Sequence, residues 1–137
     1  MTDLSVNVAG DAFHNPLVAA SGTFGFGREY AAFYPLSTLG GISCKGITLQ
    51  ERPGNPPPRI AETPSGMLNA VGLQNPGVDH FIREDLPWLR EQGTRMIANI
   101  AGNTPEDYCA MAEKLNDTDV DMIELNISCP NVKQGGV

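Results

Sequence analysis

The chain has 137 residues, of which 41% are hydrophobic and 18% charged, and its formal net charge is −7. That length allows one domain with a sizeable core, and the composition is that of a globular chain rather than a disordered one. The acidic balance without a Lys/Arg cluster argues against nucleic acid as a partner, and no apolar run approaches the roughly 18 residues of a membrane span.

Asp3, Asn7 and Asp11 interrupt the stretch where a signal peptide would need its apolar core, so a cytoplasmic protein is expected. Cys44, Cys109 and Cys129 are odd in number and far apart, which gives neither a disulfide framework nor a metal-binding Cys pair. His14 and His80 show no paired spacing and are expected at the surface or hydrogen-bonded; no metal site is expected.

In chain order, residues 4–8 alternate and predict a small hairpin strand pairing near Phe13. Residues 17–20 predict the first of four apolar strands, the others being 41–44, 96–100 and 122–127. A short helical pattern at 27–34 places Tyr30, Ala31 and Phe33 on a partial apolar face. Gly25-Phe26-Gly27 resembles a dinucleotide fingerprint only superficially, because the third glycine position holds Tyr30.

Residues 50–75, rich in Pro and Gly, exceed the length of ordinary connections and predict a structured loop over a site, anchored by Ile60, Met67, Leu68, Val71 and Leu73. Helical periodicity follows over 78–92 (Val78, Phe81, Ile82, Leu86, Leu89), with Pro87 expected to kink or divide it. The clearest helix starts at an N-cap, Thr104, with Pro105 at its first position and Asp107 three after the cap. Its stripe is Tyr108, Met111, Ala112 and Leu115, with Cys109 expected as a small buried packing residue beside it.

Strands alternating with helices imply a parallel sheet covered by helices, either open and doubly wound or closed as a barrel. A whole barrel takes about 250 residues, so this α/β chain is expected to supply about the first four units of a (β/α)8 barrel. Residues 1–137 are read as the N-terminal half of one domain without an internal boundary. Such a half is expected to expose an apolar sheet edge and to need the remaining residues for stability.

Each strand is followed by polar or glycine residues: Ser21-Gly22, Lys45-Gly46, Asn99 with Gly102, then Asn126, Ser128 and Cys129. Singly these read as a turn pair, a solvated cation, turn-forming amides and an inert thiol. In a barrel all carboxyl ends of the strands open on one face, where these groups would converge.

"NPLVAASGTFGFG" (15–27), "KGIT" (45–48), "SGMLNAVGLQNPG" (65–77), "ANIAG" (98–102) and "ELNISCPN" (124–131) resemble the class 1 dihydroorotate dehydrogenases, most of all the type B catalytic subunit. The resemblance covers nearly the whole chain, in the family's order. It implies a flavin-bearing barrel that oxidises dihydroorotate to orotate. Ala20, Ser21, Gly22, Lys45, Gly46, Asn99 and Asn126 would hold flavin mononucleotide (FMN). Lys45, Asn69, Ala70, Val71, Gly72, Leu73, Asn126 and Asn131 would hold substrate, and Cys129 would be the catalytic base.

It further implies a homodimer of catalytic subunits within a heterotetramer, with a partner subunit carrying FAD and a [2Fe-2S] cluster that passes electrons to NAD. This chain lacks the Cys ligands for such a cluster. Fumarate as acceptor would indicate type A instead. The loop after Asn131, with Gly135 and Gly136, is expected to be a mobile cover. Two alternatives stay open: the pyrimidine-reducing barrel of dihydropyrimidine dehydrogenases, which carries a similar Asn-x-Ser-Cys-Pro run, and an inactive fragment serving as a binding module.

Overall fold

The computed structural model describes residues 2–128. Cys129, Asn131 and the expected cover at 132–137 lie outside the described residues.

Strands β1 (Val6–Val8) and β2 (Asp11–Phe13) form an antiparallel hairpin. Its two turn residues, Ala9 and Gly10, both have positive φ, the turn whose twist matches the flanking strands. Then come β3 (Val18–Ala19), β4 (Gly41–Ser43), the hairpin β5 (Ile60–Thr63) and β6 (Gly66–Asn69), β7 (Arg95–Ile100) and β8 (Met122–Leu125). Strands β3, β4, β7 and β8 form one all-parallel sheet in that order, with the β5–β6 hairpin inserted along the chain between β4 and β7 as a separate two-stranded sheet. All four expected strands are present; β3, β4 and β8 are shorter than expected, and β7 begins one residue earlier, at Arg95.

Alternation along the strands sends Ile42, Met96, Ala98 and Ile100, all fully buried, to the face covered by helices. Ser43, Asn99 and Glu124 lie on the other face. The outer strands β3 and β8 leave Val18, Ile123 and Leu125 exposed, the apolar edge expected of these units.

The 78–92 segment is one rod with a fault in it: α1 (Val78–His80), a π-helical turn (Phe81–Asp85) and α2 (Leu86–Arg90). Pro87 offers no N–H to the carbonyl four residues back and crowds it, and the wider turn just before it takes up that defect. Asp85 is buried there and is held by Arg28 at 3.3 Å, whose guanidinium also lies 4.4 Å over the Trp88 ring.

Helix α3 (Pro105–Asn116) starts as expected: Thr104 Oγ1 accepts from the Asp107 N–H at 3.3 Å, and the Asp107 carboxylate accepts from Thr104 N–H. It buries Met111 and Leu115.

Three expectations are corrected. Cys109 is exposed, because it lies about 160° around the helix from Met111. Residues 27–34 form only a short 3-10 turn at Tyr30–Ala32; Tyr30 stacks on Phe24 at 4.2 Å, while Phe33 is 82% exposed. In the 50–75 segment Leu73 is buried, but Ile60, Met67 and Leu68 are exposed on the β5–β6 hairpin and anchor nothing. The segment is held by polar contacts instead. Its ends meet through paired Arg52–Asn75 backbone hydrogen bonds of 2.9 and 3.0 Å, and Asn55 N–H donates to Val71 O at 3.0 Å. Arg59 donates to the Gln74 side chain at 2.5 Å.

Cys44 carries a testable consequence of burial. Desolvation, with the Asp85 carboxylate adding to it, pushes its thiol up to about 12 from an ordinary 9.0. The folded chain therefore holds this proton more tightly than the unfolded one. The associated stability is complete below about pH 9 and falls as pH rises towards about 12. In the full-length protein, the alkaline fall of the denaturant midpoint is expected to be smaller in Cys44→Ala; an identical fall would contradict it.

Candidate functional site

The carboxyl ends of the four parallel strands border an open cleft of about 640 Å³, within the roughly 300–1,000 Å³ of small-molecule sites. Ala20 and Ser21 reach it from beyond β3, Ser43 from β4, Asn99 from β7, and Glu124, Asn126 and Ser128 from β8 and its continuation. The sheet register puts Asn99 directly beside Glu124.

Glu124 Oε1 accepts from Ser43 Oγ at 3.1 Å and from Asn99 Nδ2. Asn99 Oδ1 accepts from Asn126 Nδ2 at 3.1 Å. The Asn126 backbone is held on both sides: its N–H donates to Ile100 O at 2.8 Å, and its carbonyl accepts from the Tyr108 hydroxyl at 2.6 Å. Helix α3 thereby fixes where β8 delivers its amide.

Gly46 is buried beside this pair. A Cβ there would stand 3.0 Å from Asn99 Oδ1 and 2.7 Å from Leu73 Cδ1, so a side chain at this position would have to displace the Leu73 side chain and crowd the Asn99 amide. Leu73 has φ 57°, a left-handed conformation uncommon outside glycine, and this bend brings the end of the 50–75 segment against Gly46. Asn75 locks the bend by donating to Leu73 O at 2.8 Å while accepting from the N–H groups of Thr48 at 3.0 Å and Gly77 at 2.9 Å.

Of the residues expected at a site, the structure gathers Ala20, Ser21, Asn99 and Asn126 in one cleft, with Gly46 touching the amide pair. Gly22 lies on an adjacent cleft with Phe24 and Tyr30. Lys45 is half-buried two residues after β4, its N–H donating to Gly25 O at 2.9 Å. Along the expected substrate segment, Asn69 and Ala70 are exposed, Val71 is half-buried, and Gly72 and Leu73 are buried. The Ala70 N–H is engaged within the segment, donating to Arg59 O at 2.8 Å.

Sequence reasoning passed over Ser43, Glu124 and Tyr108. A signal existed for Glu124, since a carboxyl in the middle of an otherwise apolar strand is unusual.

The family model for dihydroorotate dehydrogenase matches residues 3–137. The chain belongs to the dihydroorotate dehydrogenase family. Two relatives described as "Dihydroorotate dehydrogenase B (NAD(+)), catalytic subunit" are similar throughout. The Petrotoga mobilis protein is 60% identical over 100% of this chain and 46% of its own length. The Alkaliphilus metalliredigens protein is 58% identical over 98% of this chain and 45% of its own length.

Among solved structures, Eimeria tenella dihydroorotate dehydrogenase in complex with ferulenol superposes with a TM-score of 0.66 at 26% identity, covering 96% of this chain and 38% of that one. The chain thus spans a little under half the length of the curated relatives it matches. The fold is the dihydroorotate dehydrogenase (β/α)8 barrel, of which these residues supply about the first four β/α units. Among the described residues, no helix is long and apolar enough to cross a membrane.

Proposed function

We propose that this chain carries the amino-terminal half of the catalytic barrel of an FMN-dependent, type B dihydroorotate dehydrogenase, oxidising dihydroorotate to orotate in pyrimidine biosynthesis. The observation that carries the reading is the gathering of Ser21, Asn99 and Asn126 in one cleft at the carboxyl ends of parallel strands. The fit to FMN is chemical and steric. Hydroxyl and amide groups suit the donors and acceptors of a flat heterocycle, and Gly46 leaves room where a side chain would crowd the amide pair.

Ala20, Ser21, Gly22, Lys45, Gly46, Asn99 and Asn126 hold FMN in this reading. FMN, when bound, supplies the acceptor for the hydride leaving C6 of dihydroorotate. Lys45 contributes a fixed positive charge at the ring edge where negative charge develops. Asn69 to Leu73, Asn126 and Asn131, together with Lys45, orient the substrate, and Cys129 removes the proton from C5. The partners are an electron-transfer subunit with FAD and a [2Fe-2S] cluster, linking the reaction to NAD, and a second catalytic subunit within a heterotetramer. The protein works in the cytoplasm.

Anaerobic mixing of the full-length flavoprotein with dihydroorotate is expected to bleach the flavin absorbance, and dihydrouracil is expected to leave it unchanged. Bleaching by dihydrouracil would favour a dihydropyrimidine dehydrogenase-like barrel. Bleaching by neither would leave a binding module.

A further inference from the structure

Glu124 stands in the middle of β8 on the face that carries Ser43 and Asn99. Interior positions of such barrels are mostly bulky and branched, yet the edge strand β8 carries at this position an exposed carboxyl that meets two buried hydrogen-bond donors. Ser43 and Asn99 are those donors, and both address the same oxygen, Oε1. Packing alone would be served as well by Val or Leu.

The value of a carboxyl lies in what it imposes on the amides. An asparagine amide is nearly the same shape either way round, so shape does not fix which end donates. A carboxylate oxygen only accepts, so Asn99 must turn its NH2 to Glu124, which turns its Oδ1 to Asn126. Asn126 can meet that oxygen only with its own NH2, and does so at 3.1 Å. The sense of both amides follows from one carboxyl group.

We propose that Glu124 is a positioning residue for the isoalloxazine ring. Acting through Asn99 and then Asn126, it presets the donor and acceptor pattern that the cleft offers to the heteroatom edge of FMN. The proposal rests on the reading of this cleft as the FMN site. Ser43 completes the arrangement by holding the carboxyl from the β4 side, so that three adjacent strands share one polar network.

The test is a fluorescence titration of full-length apoprotein with FMN, which reads binding without turnover. Glu124→Ala is expected to weaken FMN about tenfold, the loss typical of a hydrogen bond to a charged group. Because Glu124 acts through Asn99, the double variant Glu124→Ala/Asn99→Ala should bind FMN within about threefold of Asn99→Ala alone. A merely structural role would lower affinity by the same factor in either background. Losses that multiply, or an unchanged affinity in Glu124→Ala, would overturn the proposal.

Should Glu124→Ala fail to fold, the isosteric Glu124→Gln takes its place. Its amide lets Asn99 bond in either sense, so a loss of about threefold is expected that disappears in the Asn99→Ala background. An unchanged affinity or a multiplying loss overturns the idea here too. Parent protein that binds no FMN would instead remove the reading of the cleft itself, whatever Glu124 does.

Discussion

Replacing Cys129 by Ser in the full-length protein is expected to lower dihydroorotate turnover at least about 100-fold, the low end of what a positioned general base contributes. The chain holds three thiols, and two are unsuited to the task. Cys44 lies in the core on the helix-covered side of the sheet, and burial pushes its thiol up to about 12. Cys109 is exposed on α3, opposite the face that packs on the sheet. Cys129 directly follows Ser128, which borders the cleft. An ordinary thiol titrates at about pH 8.5 to 9, so turnover of the parent enzyme should climb with pH as thiolate forms, and the Ser variant should lose that climb. Saturating turnover measured from about pH 6 to 10, with FMN affinity as a control, checks both statements. A Ser variant within a few-fold of the parent across that range would remove Cys129 from the role of base.

What the sequence disclosed depended on how locally each signal is written. The start of α3 was legible because Thr104, Pro105 and Asp107 are all within four residues of one another and each has a single physical purpose there. The parallel strands were legible because β4 and β7 are buried on the helix side by runs of apolar residues. The β5–β6 hairpin was not, since its eight strand residues are all exposed and no burial period marks them. Cys109 was misplaced by one step around a helix, the resolution at which a stripe of four residues fails.

The site divides in the same way. Ser21, Asn99 and Asn126 stand at strand ends, where polar residues attract notice. Ser43 and Glu124 are 81 positions apart, and only the register of three adjacent strands brings them together. The resemblance to a family supplied roles for individual residues, while the polar network linking them came from the coordinates.

Gly40→Ala is expected to cost about 3 kcal/mol of stability or more, beyond ordinary overpacking because the colliding atom is backbone. A Cβ at position 40 would stand 1.9 Å from the Asn15 carbonyl oxygen. Asn15 cannot easily retreat. Its Oδ1 accepts from the N–H groups of Leu17 at 2.9 Å and Gly40 at 3.0 Å, and its Nδ2 donates to Thr38 O at 3.0 Å. The collision therefore acts on β3 and β4, whose pairing consists of only Val18 with Gly41 and Ala19 with Ile42. Displacing β3 from β4 also separates Ala20 and Ser21 from Ser43 in the cleft, so FMN affinity should fall together with stability. The denaturant midpoint, with an unchanged slope, gives the first effect and an FMN titration the second. Gly66→Ala is the matched control, because its nearest neighbour would be Thr63 Oγ1 at 3.9 Å, and it should change stability by less than about 0.5 kcal/mol. A Gly40→Ala protein as stable as the Gly66→Ala control would mean that the first two strands of the barrel are not joined where the Asn15 side chain ties them.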